Sequence, residues 1–73
     1  MASDKSIRIQ IGKRVAERRA ELGMTQQQLA EALRVTQPKI SAIEAGAAGL
    51  SLDRLYKLAE ALSCTPADLT ASS

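Results

Sequence analysis

The chain has 73 residues, ten Lys and Arg against eight Asp and Glu, no histidine, one cysteine and a single aromatic residue, Tyr56. That is room for one small domain rich in Ala and Leu, which points to an all-α bundle stabilised further by dimerisation, and it excludes an internal disulfide and the usual histidine-containing zinc sites. No run approaches the roughly 18 consecutive apolar residues of a membrane span, and MASDKS has no apolar segment of a signal peptide, so the chain is expected in the cytoplasm.

Residues 1–6 are expected to be a flexible N-terminus, 7–69 the folded domain and 70–73 a flexible tail. Ile7, Ile11, Val15 and Leu22 recur at helical spacing and predict a first helix, which Gly23 can end in a left-handed cap. This segment is basic and amphipathic, but it lacks the Trp or Phe that would anchor it on a membrane surface. Thr25 followed by Gln28 is a capping-box pattern that opens a second helix, with Leu29 and Leu33 as its buried stripe and Ala30 leaving room for a crossing neighbour. Arg34 and Val35 form a tight connection. Thr36 is the expected N-cap of a third helix, where Pro38 fits the first turn because its missing N–H has no intrahelical partner to lose. After the loop GAAGL, Ser51 opens a fourth helix with an apolar stripe of Leu52, Leu55, Leu58, Ala59 and Leu62. Thr65, Pro66 and Asp68 at N-cap, N1 and N3 signal a fifth, short helix with Leu69 tucked inward. Cys64, just before it, is expected to be a buried small hydrophobe, with redox sensing as the alternative.

Two short helices with a tight joint, from Thr25 to Gly46, read as a helix-turn-helix. Advancing about 100° per residue puts Ile40 and Ile43 on one side of the third helix and Gln37, Pro38, Ser41, Ala42 and Ala45 on the other. Lys39 and Glu44 fall at the boundaries. An outer face this small and uncharged can approach base edges in the major groove, and Gln37 can bond bidentately to the N6 and N7 edge of adenine. The bland alternative is an Ala-rich helix that packs on a partner protein. Residues 1–39 carry eight basic against four acidic residues, and residues 40–73 carry two against four, so the N-terminal half is the expected electrostatic footprint for a polyanion. With no histidine, no Gly-rich phosphate loop after a strand and no acidic pair placed for catalysis, an enzyme is not expected.

From Ile11 to Leu69 the chain resembles the lambda-repressor and Cro-like, or XRE, family of helix-turn-helix regulators. The residues that carry this are Ile11-Gly12-Lys13-Arg14-Val15, Arg19, Gly23-Met24-Thr25-Gln26, Leu29-Ala30, Val35-Thr36-Gln37, Ile40-Ser41, Ile43-Glu44, Gly46 and the run Leu58 to Leu62. The resemblance implies a compact five-helix, all-α domain with the helix-turn-helix at helices 2 and 3. It implies a homodimer on double-stranded DNA at an inverted-repeat operator, acting as repressor or controller, with half-sites about 34 Å apart. It further implies that Gln26 bonds a phosphate and supports Gln37, that Gln37 reads a base, and that Ser41 and Ala42 line the groove, with Thr36 at the helix start beside them. Pro38 and Lys39 occupy positions that vary sequence preference. Arg19 is expected to pair with Glu44 as a structural link. Dimerisation is expected through Leu62, Cys64, Pro66 and Leu69, although Leu58, Leu62 and Leu69 serve equally well as core. No cofactor or metal is implied.

Two departures from the family pattern stand out. Arg34 and Ser63 occupy positions where glycine is common, and a left-handed backbone there costs each on the order of 1 kcal/mol; Arg34 could recover some of this by touching a phosphate. The loop after Gly46, usually basic, reads Ala47-Ala48-Gly49-Leu50, which lowers the expected affinity and the salt dependence. Thr36 to Ile43 and the run SLDRLYKLAEAL also resemble DNA-binding antitoxins, which makes a toxin the alternative protein partner.

Overall fold

The computed structural model describes residues 4–70, so the parts of the expected flexible ends at 1–3 and 71–73 lie outside the described residues. Five helices follow in order, with no strand among the described residues: α1 (Asp4–Glu21), α2 (Gln26–Leu33), α3 (Gln37–Glu44), α4 (Leu52–Ala61) and α5 (Pro66–Thr70). The all-α, five-helix architecture expected from the sequence is the one observed.

Local capping chemistry sets the helix starts. Thr25 Oγ1 accepts from the Gln28 N–H at 3.0 Å while Gln28 Oε1 accepts from the Thr25 N–H at 2.8 Å, a complete capping box. Thr36 and Ser51 cap α3 and α4 by accepting from the N–H groups of Lys39 and Arg54. Thr65 and Asp68 exchange the same reciprocal pair at the head of α5, at 2.9 and 3.2 Å. These bonds to the ionised form hold the Asp68 carboxyl below its ordinary value.

Four helices end by one device. At Gly23, Arg34, Gly46 and Ser63 the backbone turns left-handed, with φ of 68°, 58°, 74° and 54°. In each case that residue's N–H and the next bond back to carbonyls three and five residues upstream, as in Gly23 to Ala20 and Met24 to Arg19. Arg34 and Ser63 therefore do adopt the conformation that glycine would take without strain. The last turn of α4 gains a further partner: Arg18 of α1 donates from Nε to the Leu62 carbonyl at 2.9 Å and from Nη2 to the Ser63 carbonyl at 3.2 Å. A cation on the exposed carbonyls of a helix C-terminus is favourable, and it ties α1 to the α4–α5 junction.

The core comprises Ile11, Val15, Leu29, Ala30, Ile40, Ile43, Leu58, Ala59, Leu62 and Leu69. Leu62 and Leu69, for which core and dimer face were equally open, are 0% and 2% exposed and belong to the core of the single chain. Three expected stripe residues lie outside the core. Ile7 is 43% exposed because steps of four residues drift about 40° each around a helix, carrying Ile7 away from Val15. Leu22 is exposed beyond the end of α1, and Leu52 is exposed beside Tyr56 at the edge of the α4 stripe. Leu33 and Leu55 are partly buried against the core. Cys64 is half-buried rather than buried, and desolvation pushes its thiol above the ordinary value, which disfavours the reactive thiolate.

The ends hold more structure than expected. Residues 4–6 belong to α1, and Thr70 closes α5 with its hydroxyl donating to the Pro66 carbonyl. Packing seats the first turns of α1: Ile9 lies against Gly46, where a Cβ would come within 2.7 Å of the Ile9 Cα. One turn on, Gly12 lets α1 lie directly on α3, since a Cβ there would stand 2.6 Å from the Glu44 carbonyl oxygen. Two adjacent points of backbone contact thus seat α3 and its following loop along α1.

Candidate nucleic-acid interface

The outward face of α3 follows from its buried one. Ile40 and Ile43 are 0% and 3% exposed, so Pro38, Ser41 and Ala45 on the far side are open to solvent, and Gln37 partly so. Lys39 and Ala42 are half-buried at its margins. The face carries no charge. Thr36 is exposed at the N-terminus of α3, where free N–H groups and the helix dipole favour an anion.

Behind this face runs a chain of hydrogen bonds that links three helices. Arg19 of α1 donates to both Glu44 carboxylate oxygens, Nε to Oε2 at 2.7 Å and Nη2 to Oε1 at 3.2 Å, while its Nη1 donates to the Met24 carbonyl at 2.8 Å. The pair is partly buried, with side chains 19% and 8% exposed. Hydrogen bonding to Glu44 raises the Arg19 pKa further, against the opposing effect of burial. Gln26 Nε2 of α2 donates to Glu44 Oε1 at 2.9 Å, and Gln37 Nε2 of α3 donates to Gln26 Oε1 at 2.5 Å.

This order of donors has a chemical reason. An ionised carboxylate only accepts, so Gln26 must turn its amide nitrogen toward Glu44 and its oxygen toward Gln37. Gln37 must then present its nitrogen to Gln26. One amide hydrogen of Gln37 is spent in that bond, and the second hydrogen and the carbonyl oxygen remain. They form the donor–acceptor pair that bidentate pairing with adenine requires.

The structure brings Arg19, Gln26, Gln37 and Glu44 into one cluster and sets Thr36, Pro38 and Ser41 beside it. Arg34 is placed elsewhere: it is exposed at the C-terminal end of α2 and borders a groove with Lys57, Glu60 and Ala61 of α4. Cys64 and Pro66 lie at the α4–α5 junction, both partly exposed. Sequence reasoning missed the close approach at Gly12 and the Arg18 contacts. The first was signalled only by a glycine inside a helical pattern, and the second by nothing local. Among the described residues no cluster of metal-ligating side chains occurs, and no helix is long and apolar enough to cross a membrane.

The Helix-turn-helix family model (HTH_3) matches residues 15–69. Among solved structures, the restriction-modification controller protein C.AhdI from Aeromonas hydrophila is 28% identical, with a TM-score of 0.86 over 93% of this chain and 99% of that one. The clp gene regulator ClgR from C. glutamicum is 33% identical, with a TM-score of 0.85 over 88% of this chain and 82% of that one. Hydroxypropylphosphonic acid epoxidase from S. wedmorenis also matches, at 28% identity and a TM-score of 0.86 over 90% of this chain, but over only 35% of the enzyme. No curated protein matches the chain. With the family match spanning the whole helix-turn-helix and all but the first turns of the domain, the chain belongs to the lambda-repressor and Cro-like helix-turn-helix family of DNA-binding transcription regulators.

Proposed function

We propose that the protein is a sequence-specific transcriptional repressor or controller that binds an inverted-repeat operator as a homodimer in the cytoplasm. The observation that carries this reading is the Arg19–Glu44–Gln26–Gln37 chain, which holds one side chain on the outer face of α3 with a free donor and a free acceptor. Gln37 reads a base, an adenine edge by its donor–acceptor pattern. Pro38 contributes apolar contact, Ser41 and Ala42 shape the groove side, and Thr36 and Lys39 lie within reach of the backbone or a neighbouring base. Arg34 serves the turn as a solvated arginine and touches at most a flanking phosphate. The likeness to a restriction-modification controller over nearly the whole length of both chains supports the controller side of the reading.

Pairing uses apolar surface that one chain leaves open. With Leu62 and Leu69 taken by the core, Cys64 and Pro66 remain of the expected face. The larger open area is on α4, where Leu52 and Tyr56, 71% and 59% exposed, stand one turn apart. Tyr56 is the sole aromatic of the chain, and exposed aromatic and leucine side chains together mark an association surface.

Selection from random duplex DNA tests the reading. Enrichment of a palindrome, with sedimentation showing two chains per duplex, is expected; enrichment of a single half-site bound by one chain would remove the dimer. No enrichment, with a second protein co-purifying from the native source, would favour the antitoxin alternative.

A further inference from the structure

We infer that Lys5 and Arg8, on the first turns of α1, supply the backbone-phosphate contacts that the uncharged loop after Gly46 does not; this rests on the DNA-binding reading above. That loop reads Ala47-Ala48-Gly49-Leu50 and carries no charge to meet a phosphate. The side of α1 that faces α3 is marked by three contacts: Ile9 against Gly46, Gly12 against the Glu44 carbonyl, and Arg19 against the Glu44 carboxylate. Positions 9, 12 and 19 form one stripe on the helix. Extending that stripe one turn toward the N-terminus reaches Lys5, an exposed residue. Because α1 runs from Glu44 to Gly46 toward its own N-terminus, Lys5 stands beyond Gly46, alongside the uncharged loop.

Arg8, three residues on and next to Lys5 on the same side of the helix, reaches the same segment. With Ile7 and Ile11 it lines a groove of about 320 Å³ against Gly49, Leu50, Ser51 and Leu52. Its Nε is buried and has no hydrogen-bond partner. Arg8 is only half-buried, its guanidinium keeps a donor without a partner, and a guanidinium matches phosphate geometry. Two neighbouring cations of α1 therefore lie beside the loop that continues directly from the proposed recognition helix. The N-terminal dipole of α1 adds to the same positive potential.

The test is the salt dependence of binding to random-sequence duplex DNA, for the wild-type chain and a Lys5→Gln, Arg8→Gln double variant, with circular dichroism to confirm folding. Each neutralised phosphate contributes about 0.9 to the slope of log affinity against log salt. The double variant is expected to bind with a slope shallower by about two and to keep the base preference of the wild type on any selected site. Lys5→Gln alone, at an exposed position, is expected to reduce the slope by about one, which tests the inference even if the Arg8 change unfolds the chain. An unchanged slope in a folded variant, with the wild type binding normally, overturns the α1 clamp and leaves the DNA-binding reading standing. A wild type that does not bind duplex DNA overturns both.

Discussion

Gln37 of α3 donates to Gln26 of α2 across 2.5 Å, and the direction of that bond is dictated two residues away by the Glu44 carboxylate. Gln26→Ala removes the acceptor and leaves the Gln37 amide free to rotate. A hydrogen bond of this kind contributes about 1 kcal/mol net, so preference at the base read by Gln37 should fall by about fivefold to tenfold in DNA titrations, with a melting temperature lower by about 4–8 °C because Gln26 also donates to Glu44. Full retention of base preference in the folded variant would show that Gln37 needs no such support.

Glu44 has the most partners in the cluster. Glu44→Ala leaves the Arg19 guanidinium without its carboxylate and the Gln26 amide without an acceptor. Breaking a buried pair from one side costs about 3–5 kcal/mol; Arg19 retains some solvent access, so a loss of about 2–3 kcal/mol in urea unfolding is expected. An unchanged unfolding midpoint would mean that the pair adds nothing to the fold.

Arg34 and Ser63 carry left-handed backbones, at φ of 58° and 54°, that L side chains adopt at a cost. Arg34→Gly and Ser63→Gly should each stabilise the fold by up to about 1 kcal/mol, partly offset by the greater freedom of glycine in the unfolded chain. Ser63→Gly keeps the carbonyl that accepts from Arg18. Thermal unfolding of both single variants and the double variant measures the effect, and a fall in stability would show that the side chains do more than tolerate the turn.

Asp68 provides a pH dependence with a defined sign. Its folded pKa lies below the ordinary value of 3.8 because its ionised form accepts from Thr65. The stabilisation is therefore fully present above that ordinary value and is lost as pH falls through the folded pKa. Asp68→Asn should lower the melting temperature at pH 7 and have little effect near pH 2, as read by circular dichroism at 222 nm.

The helices, and the starts of α2 to α5, were legible because their determinants are local. Thr25 with Gln28 and Thr65 with Asp68 cap by bonds three residues apart, and the α3 wheel separates Ile40 and Ile43 from its bland face without knowledge of any partner. Contacts that depend on distant backbone were not legible. Gly12 has its meaning only against the Glu44 carbonyl, and Arg18 only against the end of α4. For the same reason Leu62 and Leu69 were open to two readings: an apolar stripe does not record whether α1 and α5 or a second chain covers it. The Arg19–Glu44 pairing came from resemblance, and the donor order that orients Gln37 came only from the geometry.

The most direct measurement is the affinity of wild type and Gln37→Ala for the selected palindrome and for a random duplex, at one salt concentration. Loss of the bidentate contact should weaken palindrome binding by about 1–3 kcal/mol per half-site, or about fivefold to 150-fold each, and leave random-duplex binding unchanged. Equal weakening on both duplexes, or none on either, would contradict base reading by Gln37.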